Sequence, residues 1–455
     1  VIAHRWSGCT GRAANADADA SLIQNRSIDH RAFPMQHFPQ TVFVAAGLRT
    51  PFGRGGGALA NDDAISLSVP VVKAMAAHAE PDLVVWGTVI PNLGWSNIAR
   101  EIWLDAGLNP NVPAFSVVLA CSTSMTAAFA AAGMLGGGID LAMVGGGEVM
   151  SRPPIALTAE ASKRLTALFG VDPSAALAAL QALTPRDYVL PVKGWANRIT
   201  GRTMGDHMEE TAKAWHISRQ AQDDWALQSH RRAVAGWDSG FFDDLVIKLP
   251  ELERDANPRA DTSSEKLAAL KPAFDRTSGQ GSLTAGNSSP ITDGAAGCWI
   301  ANEAGLARLP DGTPHLRLVD FEMAAVDHHT EGLLMAPSYA IPRLLARHGL
   351  GYGDIDLWEI HEAFAAQVLA NVAAIERPDW VRTKTGVQAD LGAFPWERVN
   401  PNGGSVAIGH PFGATGARDL SQAVKELWSH PVGSLAVVSI CADGGQGTVT
   451  LLERV

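Results

Sequence analysis

Four short stretches of the 455-residue chain set reactive side chains beside glycines or at the start of a helical pattern. Residues 400–418, NPNGGSVAIGHPFGATGAR, place one histidine, His410, among five glycines and two prolines. Glycines let the backbone approach a ligand closely, so an imidazole in this stiff loop suits a base that meets a reacting atom at a fixed distance. VVLACSTSMTAAF puts Cys121 between an apolar run and a small-residue helical pattern. A thiol at a helix start feels the positive end of the dipole, which predicts a lowered pKa; the alternative is a buried cysteine acting as a small hydrophobe. IHEAFAAQ places His361 and Glu362 at a similar junction, where a capping histidine beside a solvated glutamate would give the same pattern. SICADGGQG ends an apolar run on Cys441 just before glycines, and it too could be a buried thiol. Brought together, a cysteine and a histidine make a nucleophile and its base. Cys298, inside the apolar run DGAAGCWIANE, is expected to be structural.

The elements around these residues alternate. TVFVAAG, DLVVWGTVI, PAFSVV and IDLAMVGGGE are short apolar runs bounded by Gly, Pro and Asp, and they predict strands. ISLSVPVVKAMAAHA and CSTSMTAAFAAAGMLGGG predict helices, with Pro70 confining the first to a start or a kink. The order returns in DIDLWEIHEAFAAQVLANVAA, GATGARDLSQAVKELW and SLAVVSICADGGQGTVTLLE. The chain is therefore expected to be α/β, with one βα unit duplicated. Between the halves, residues 152–288 turn polar and loop-rich, which predicts an inserted subdomain carrying binding loops. Domain limits are placed at 1–40 (an N-terminal extension without a fold of its own), 41–151, 152–288, 289–315 returning to the first half, and 316–455. Met35 is a candidate native start.

Composition narrows the classes. Hydrophobic residues make up 46% and charged residues 18%, a globular balance. A net charge of −11 argues against nucleic acid as a partner. Four cysteines are too few for a disulfide framework and point to reduced thiols and a cytoplasmic location. No apolar run reaches the length of a transmembrane segment, and the first 34 residues lack the pattern of a signal peptide. His207 and Glu210 share a helix face expected to be solvated, and His328 with His329 is expected to be a surface pair, so no metal site is expected.

From about Thr41 to Val455 the chain resembles a thiolase. CSTSMTAA, HEAFAAQ, NGGSVAIGHPFGATGAR and CADGGQG stand in that family's order and spacing, with EKLAALKPAF, TAGNSSPITDGAA and SRQAQDDWALQSHRRA between them. Most thiolases carry Asn where this chain has His361; a histidine there is similar to the β-subunit of the fatty-acid trifunctional enzyme. The resemblance implies a duplicated five-layered αβαβα core with an inserted loop domain. It also implies CoA-dependent cleavage of 3-ketoacyl-CoA in fatty-acid β-oxidation by an acyltransferase. Cys121 would be the nucleophile, His410 its base and Cys441 the acid. His361 and His410 would polarise the thioester oxygen, and the backbone N–H groups of Cys121 and Asp443 would hold the other oxyanion. Asp443 departs from the Gly or Ala usual at that place, and its carboxylate would weaken anion stabilisation unless it points away.

Met204, Ser289, Ala363 and Phe364 are implied as CoA contacts. CoA is then a substrate, and no cofactor follows. A homodimer or tetramer is implied, with a hydratase/dehydrogenase α-subunit as a further partner of that branch. Three other readings stay open: an acetoacetyl-CoA thiolase running the condensation, a decarboxylating ketoacyl synthase, and a silent thiolase-like scaffold. The synthase has no need of Cys441, and Asp443 is the one feature favouring the scaffold.

Overall fold

The computed structural model describes residues 38, 40–90, 92, 94–169, 171–189 and 196–455; the expectations for Cys9, Met35 and the extension's residues 1–37 and 39 lie outside them, while its Phe38 and Gln40 belong to the fold, packed on Phe321 and accepting from Asn302 Nδ2, respectively. The apolar runs become strands β1 (Phe43–Ala45), β2 (Gly53–Arg54), β3 (Leu83–Gly87), β4 (Ala114–Phe115), β5 (Leu141–Glu148), β6 (Ala156–Leu157), β7 (Tyr188–Val189), β8 (Thr292–Ala301), β9 (His315–Ala325), β10 (Leu357–Ile360), β11 (Leu435–Ala442) and β12 (Gln446–Glu453). Ten of them join one hydrogen-bonded ladder in the order β4-β3-β5-β8-β1-β9-β12-β11-β10, with β2 beside β8.

The duplication is visible in strand sense. In the first half β3 and β5 are parallel, then β5–β8 and β8–β1 are antiparallel. In the second, β10 and β11 are parallel, then β11–β12 and β12–β9 are antiparallel. The equivalent strands β1 and β9 pair antiparallel, Val44 opposite Leu316, and join the copies.

Side chains alternate across each strand, and the alternation sorts them into three cores. Leu83, Val85, Ala142, Val144, Ala436, Val438 and Ile440 face a central core with the helices Thr123–Met134 and Thr415–Trp428. Val84, Trp86, Leu141 and Met143 face an outer core with the helices Ala64–Ala76 and Ile98–Asp105. On the far side, Trp358, Ile360, Val437, Val449 and Leu451 face the helices Ala336–Arg347 and Ala365–Ile375. Helix, sheet, helix pair, sheet, helix: this is the five-layered αβαβα arrangement. Leu420, Val424 and Leu427, at most 1% exposed, anchor the second central helix and contribute about 1.5–3 kcal/mol each by burial.

The helix Thr123–Met134 lies between sheets because its residues are small; Thr123, Ser124, Ala127, Ala128, Ala131 and Ala132 are all buried. The two central helices meet at Gly416, where a Cβ would sit 2.5 Å from the Met125 nitrogen. Ser124 Oγ accepts the Ala417 N–H at 2.9 Å at the same crossing. Pro70, expected at a helix start or a kink, lies well inside Ala64–Ala76. One lost N–H donor is tolerated there because a capping box secures the start: Asp63 Oδ1 accepts from Ile65 and Ser66, and Ser66 Oγ accepts the Asp63 N–H.

Residues 152–288 carry the β6–β7 hairpin and the helices Ala159–Thr166, Pro173–Gln181, Met204–Ala214, Arg219–Asp238 and Ser264–Ala268 before β8 rejoins the ladder. No helix among the described residues is long and apolar enough to cross a membrane.

Candidate active site

Cys121 follows β4 on a tight, strained turn. Ala120 adopts φ 43°, a left-handed conformation that costs a non-glycine residue about 1–3 kcal/mol. The turn is over-determined: Ser122 N donates to Leu119 O, Thr123 N to Ala120 O, and Leu119 N to Thr123 Oγ1 at 2.9 Å. The thiol is thereby held at the mouth of the helix Thr123–Met134, half-buried.

The second central helix begins the same way. Gly409, at φ +120°, turns the chain so that His410 N donates to Thr292 Oγ1 at 2.7 Å. His410 Nε2 then lies 3.1 Å from Cys121 Sγ, and Nδ1 lies 2.7 Å from Thr415 Oγ1. Thr415 donates its own proton to Pro411 O at 3.0 Å. Its oxygen must accept from His410 Nδ1–H, so the neutral imidazole keeps its lone pair on Nε2, facing the thiol.

His361 directly follows β10, fully buried, with its ring centroid 4.1 Å from that of His410. Its Nδ1 meets Ser405 Oγ at 2.8 Å, while Nε2 is buried and pairs with no atom of the described residues. Glu362 is not solvated: 1% exposed, it accepts from Trp225 Nε1, Ser229 Oγ, Asn400 Nδ2 and Val406 N and so fixes the histidine loops on the helix Arg219–Asp238. The Cys121 sulfur and one ring nitrogen each of His361 and His410 lie within 4.8 Å of one another. That spacing would also suit a soft cation, but the contact already made is that of a thiol with its base.

Cys441, the last residue but one of β11, is buried beside Met208, Leu283, Ala363 and Phe364. Cys121, Cys298 and Cys441 are all free thiols. The backbone N–H groups of Cys121 and Asp443 both act on the Cys121 sulfur. The Asp443 carboxylate is tied down: Oδ1 accepts from Asn197 Nδ2 at 2.8 Å and from Gly444 N at 2.6 Å.

The lowered pKa expected for Cys121 is corrected by these surroundings. Burial, then the charge of Asp443, push the thiol up to about 12, against the two amides that pull it down. Burial, then Arg418, press His410 down to about 3. The helix end is outweighed, and the resting pair is neutral thiol and neutral imidazole. Iodoacetamide alkylation of Cys121 should therefore rise with pH through the neutral range, without the plateau below pH 9 that a thiolate–imidazolium pair would give. Asp443→Asn keeps the acceptor oxygen and removes the charge, so alkylation should speed up by about tenfold for each unit the thiol falls.

Family models match along the chain: the thiolase N-terminal domain over residues 42–304 and the thiolase C-terminal domain over 313–454. The chain belongs to the thiolase family. It is 37% identical over 428 residues to a 3-ketoacyl-CoA thiolase of Vibrio cholerae, covering 91% of this chain and 97% of that one. A 3-ketoacyl-CoA thiolase of Yersinia enterocolitica is 36% identical over 425 residues, covering 90% and 96%. Among solved structures, the Bacillus anthracis acetyl-CoA acetyltransferase aligns with a TM-score of 0.75 and 31% identity over 91% of this chain and 99% of that one. The Acat5 thiolase of Ascaris suum in complex with coenzyme A aligns with a TM-score of 0.73 and 27% identity over 91% and 100%.

In this thiolase the expected CoA contacts sit near Cys441. Ser289 N donates to Ala363 O at 3.0 Å, Ser288 bridges Phe364, and Met204 packs against the cluster holding Ala363, Phe364 and Cys441. One expectation for a histidine is corrected. His207 is 7% exposed rather than on a solvated face, because its Nε2 meets Thr200 Oγ1 at 2.7 Å and its ring packs edge-on to His328. His328 and His329 lie side by side with tilted rings, centroids 4.4 Å apart, His329 exposed and His328 half-buried with its Nε2 enclosed.

Sequence reasoning missed Thr415, Ser405, Arg418, Asn197 and Glu148. The first three lie inside the quoted loop, five residues after His410, five before it and eight after it, where side chains of one loop and one helix start converge. Asn197 carries no such signal. Glu148 accepts from Thr88 Oγ1, Val89 N, Ile90 N and Gly413 N, which ties the His410 loop to the first half; burial raises its pKa to about 7.

Proposed function

We propose that this thiolase is a degradative 3-ketoacyl-CoA thiolase, cleaving 3-ketoacyl-CoA with CoA to acetyl-CoA and a shortened acyl-CoA in fatty-acid β-oxidation. The observation carrying the reading is the His410 Nε2 lone pair 3.1 Å from the Cys121 thiol. Nε2 takes the thiol proton as sulfur attacks the 3-keto carbon. The oxyanion so formed is held by the backbone N–H groups of Cys121 and Asp443. Its collapse breaks the carbon–carbon bond, leaving an acyl group on Cys121 and the enolate of acetyl-CoA.

Cys441 protonates that enolate. Its pKa lies well above the usual thiol value, through burial and then the neighbouring Cys121, so it waits as an acid. The thiolate left on Cys441 takes the proton of incoming CoA, whose sulfur attacks the acyl-enzyme and frees Cys121. The enolate oxygen is met by the imidazoles of His361 and His410, His410 then carrying the proton it took from Cys121. No metal or redox cofactor enters; CoA is a substrate, bound around Met204, Ser289, Ala363 and Phe364.

The curated relatives named 3-ketoacyl-CoA thiolase, at 37% identity, favour degradation. The name of the Bacillus anthracis relative keeps a second reading, acetoacetyl-CoA thiolase running the condensation. The protein is read as cytoplasmic and at least a homodimer, with a hydratase/dehydrogenase subunit as a further partner. Thiolysis over a ladder of 3-ketoacyl-CoA chain lengths tests this. Turnover rising with chain length and lost in Cys121→Ala supports degradation; activity confined to acetoacetyl-CoA supports condensation. Acyl-CoA binding without turnover at any length would leave a scaffold.

A further inference from the structure

The two active-site imidazoles each lean on a hydroxyl, but the hydroxyls are wired in opposite directions. Thr415 spends its proton on Pro411 O and so accepts from His410. Ser405 faces a different neighbour. Arg418, 2% exposed on the second central helix and paired with Asp419 at 2.7 Å, places Nη2 2.7 Å from Ser405 Oγ. A guanidinium carries donors alone, so Ser405 must accept from it. The serine proton is then left for His361 Nδ1, 2.8 Å away. A nitrogen that accepts cannot also carry a proton, so a neutral His361 holds its hydrogen on Nε2. The opposite arrangement would give the fully buried Ser405 oxygen two donors and leave its own O–H with no acceptor among the described residues.

We propose that Ser405 and Arg418 are positioning residues that lock His361 in the Nε2–H tautomer, so that it meets the substrate as a hydrogen-bond donor while His410, 4.1 Å away, meets the thiol as an acceptor. The tautomer itself follows from the hydrogen bonds; its kinetic consequence rests on the thiolase reading above. Were both rings to present N–H groups there would be no base, and were both to present lone pairs the oxyanion would lose a donor. Identical residue types thus take complementary roles through the threonine behind one ring and the serine and arginine behind the other.

The test combines a spectroscopic and a kinetic readout. Selective 15N-histidine labelling of the full-length protein should show His361 with hydrogen on Nε2, assigned by its loss in His361→Asn. A Nδ1–H signal for His361 would overturn the proposal, whether or not the protein turns over 3-ketoacyl-CoA. In thiolysis, Ser405→Ala should lower kcat by roughly a hundredfold, the scale of one lost oxyanion donor, with the KM for CoA little changed. Ser405→Thr should restore most of it. In a His361→Asn background, where no ring remains to be locked, Ser405→Ala should change kcat less than about twofold, because the two residues act as one unit. An equal loss in both backgrounds would make Ser405 merely structural and overturn the positioning role. Absence of thiolysis in the wild type would sink the functional reading and leave the 15N result to decide the tautomer.

Discussion

His410→Asn is expected to lower kcat for thiolysis by roughly a thousandfold, within the range for losing a positioned general base. The cause is the pairing at 3.1 Å between Nε2 and a thiol that its surroundings hold at about 12. Without the base, the thiolate fraction at pH 7 is on the order of one in 10⁵, by the definition of a pKa. The residual rate should climb about tenfold per pH unit through the neutral range, because each unit toward the thiol pKa multiplies the thiolate by ten. Wild-type acylation takes its proton transfer from His410 and should show no such steep slope. Single-turnover acylation across pH, with melting temperature as the control for folding, checks both. A variant retaining a tenth of the wild-type rate would remove His410 from the role of base.

The second large effect concerns Cys441. Cys441→Ala should slow exchange of the acetyl-CoA methyl protons with solvent deuterium by a factor of about 10²–10⁴, the usual contribution of an acid–base group. Alkylation of Cys121 should persist, since the thiol and its base are untouched. The burial that keeps Cys441 protonated also removes it from reagents, so iodoacetamide should distinguish the two cysteines in the wild type: half-buried Cys121 reacts and Cys441 does not. Exchange unchanged in Cys441→Ala would assign the acid to another group.

The residue pattern made the duplicated layers and the reactive turns legible because each depends on local chemistry. Apolar runs set the strands, small residues set the central helices, and glycines mark the close approach at His410. The electrostatics of Cys121 were not legible. A helix start predicts a lowered pKa, but the outcome is decided by depth of burial and by Asp443, 322 positions along the chain, and neither is a local property. The same holds for Glu362 and His207, whose motifs fit solvated faces until partners from other segments enclose them. Ser405 and Arg418 sat within a quoted motif, yet their roles depend on which neighbour can only donate, and that appears once distances are known.

The crossing of the two central helices at Gly416 gives the chemistry a mechanical tolerance. Nucleophile and base stand at corresponding helix starts of the two copies, so neither copy alone contains a reactive pair. The gap between sulfur and imidazole is set by how the copies seat against each other, and 2.5 Å from a would-be Cβ to the Met125 nitrogen leaves no slack at that seam. A side chain at this position would wedge the helices apart while most of both cores stayed filled. Such a protein would keep its two halves folded and lose its aim, a failure that a melting curve would understate and a turnover assay would register at once.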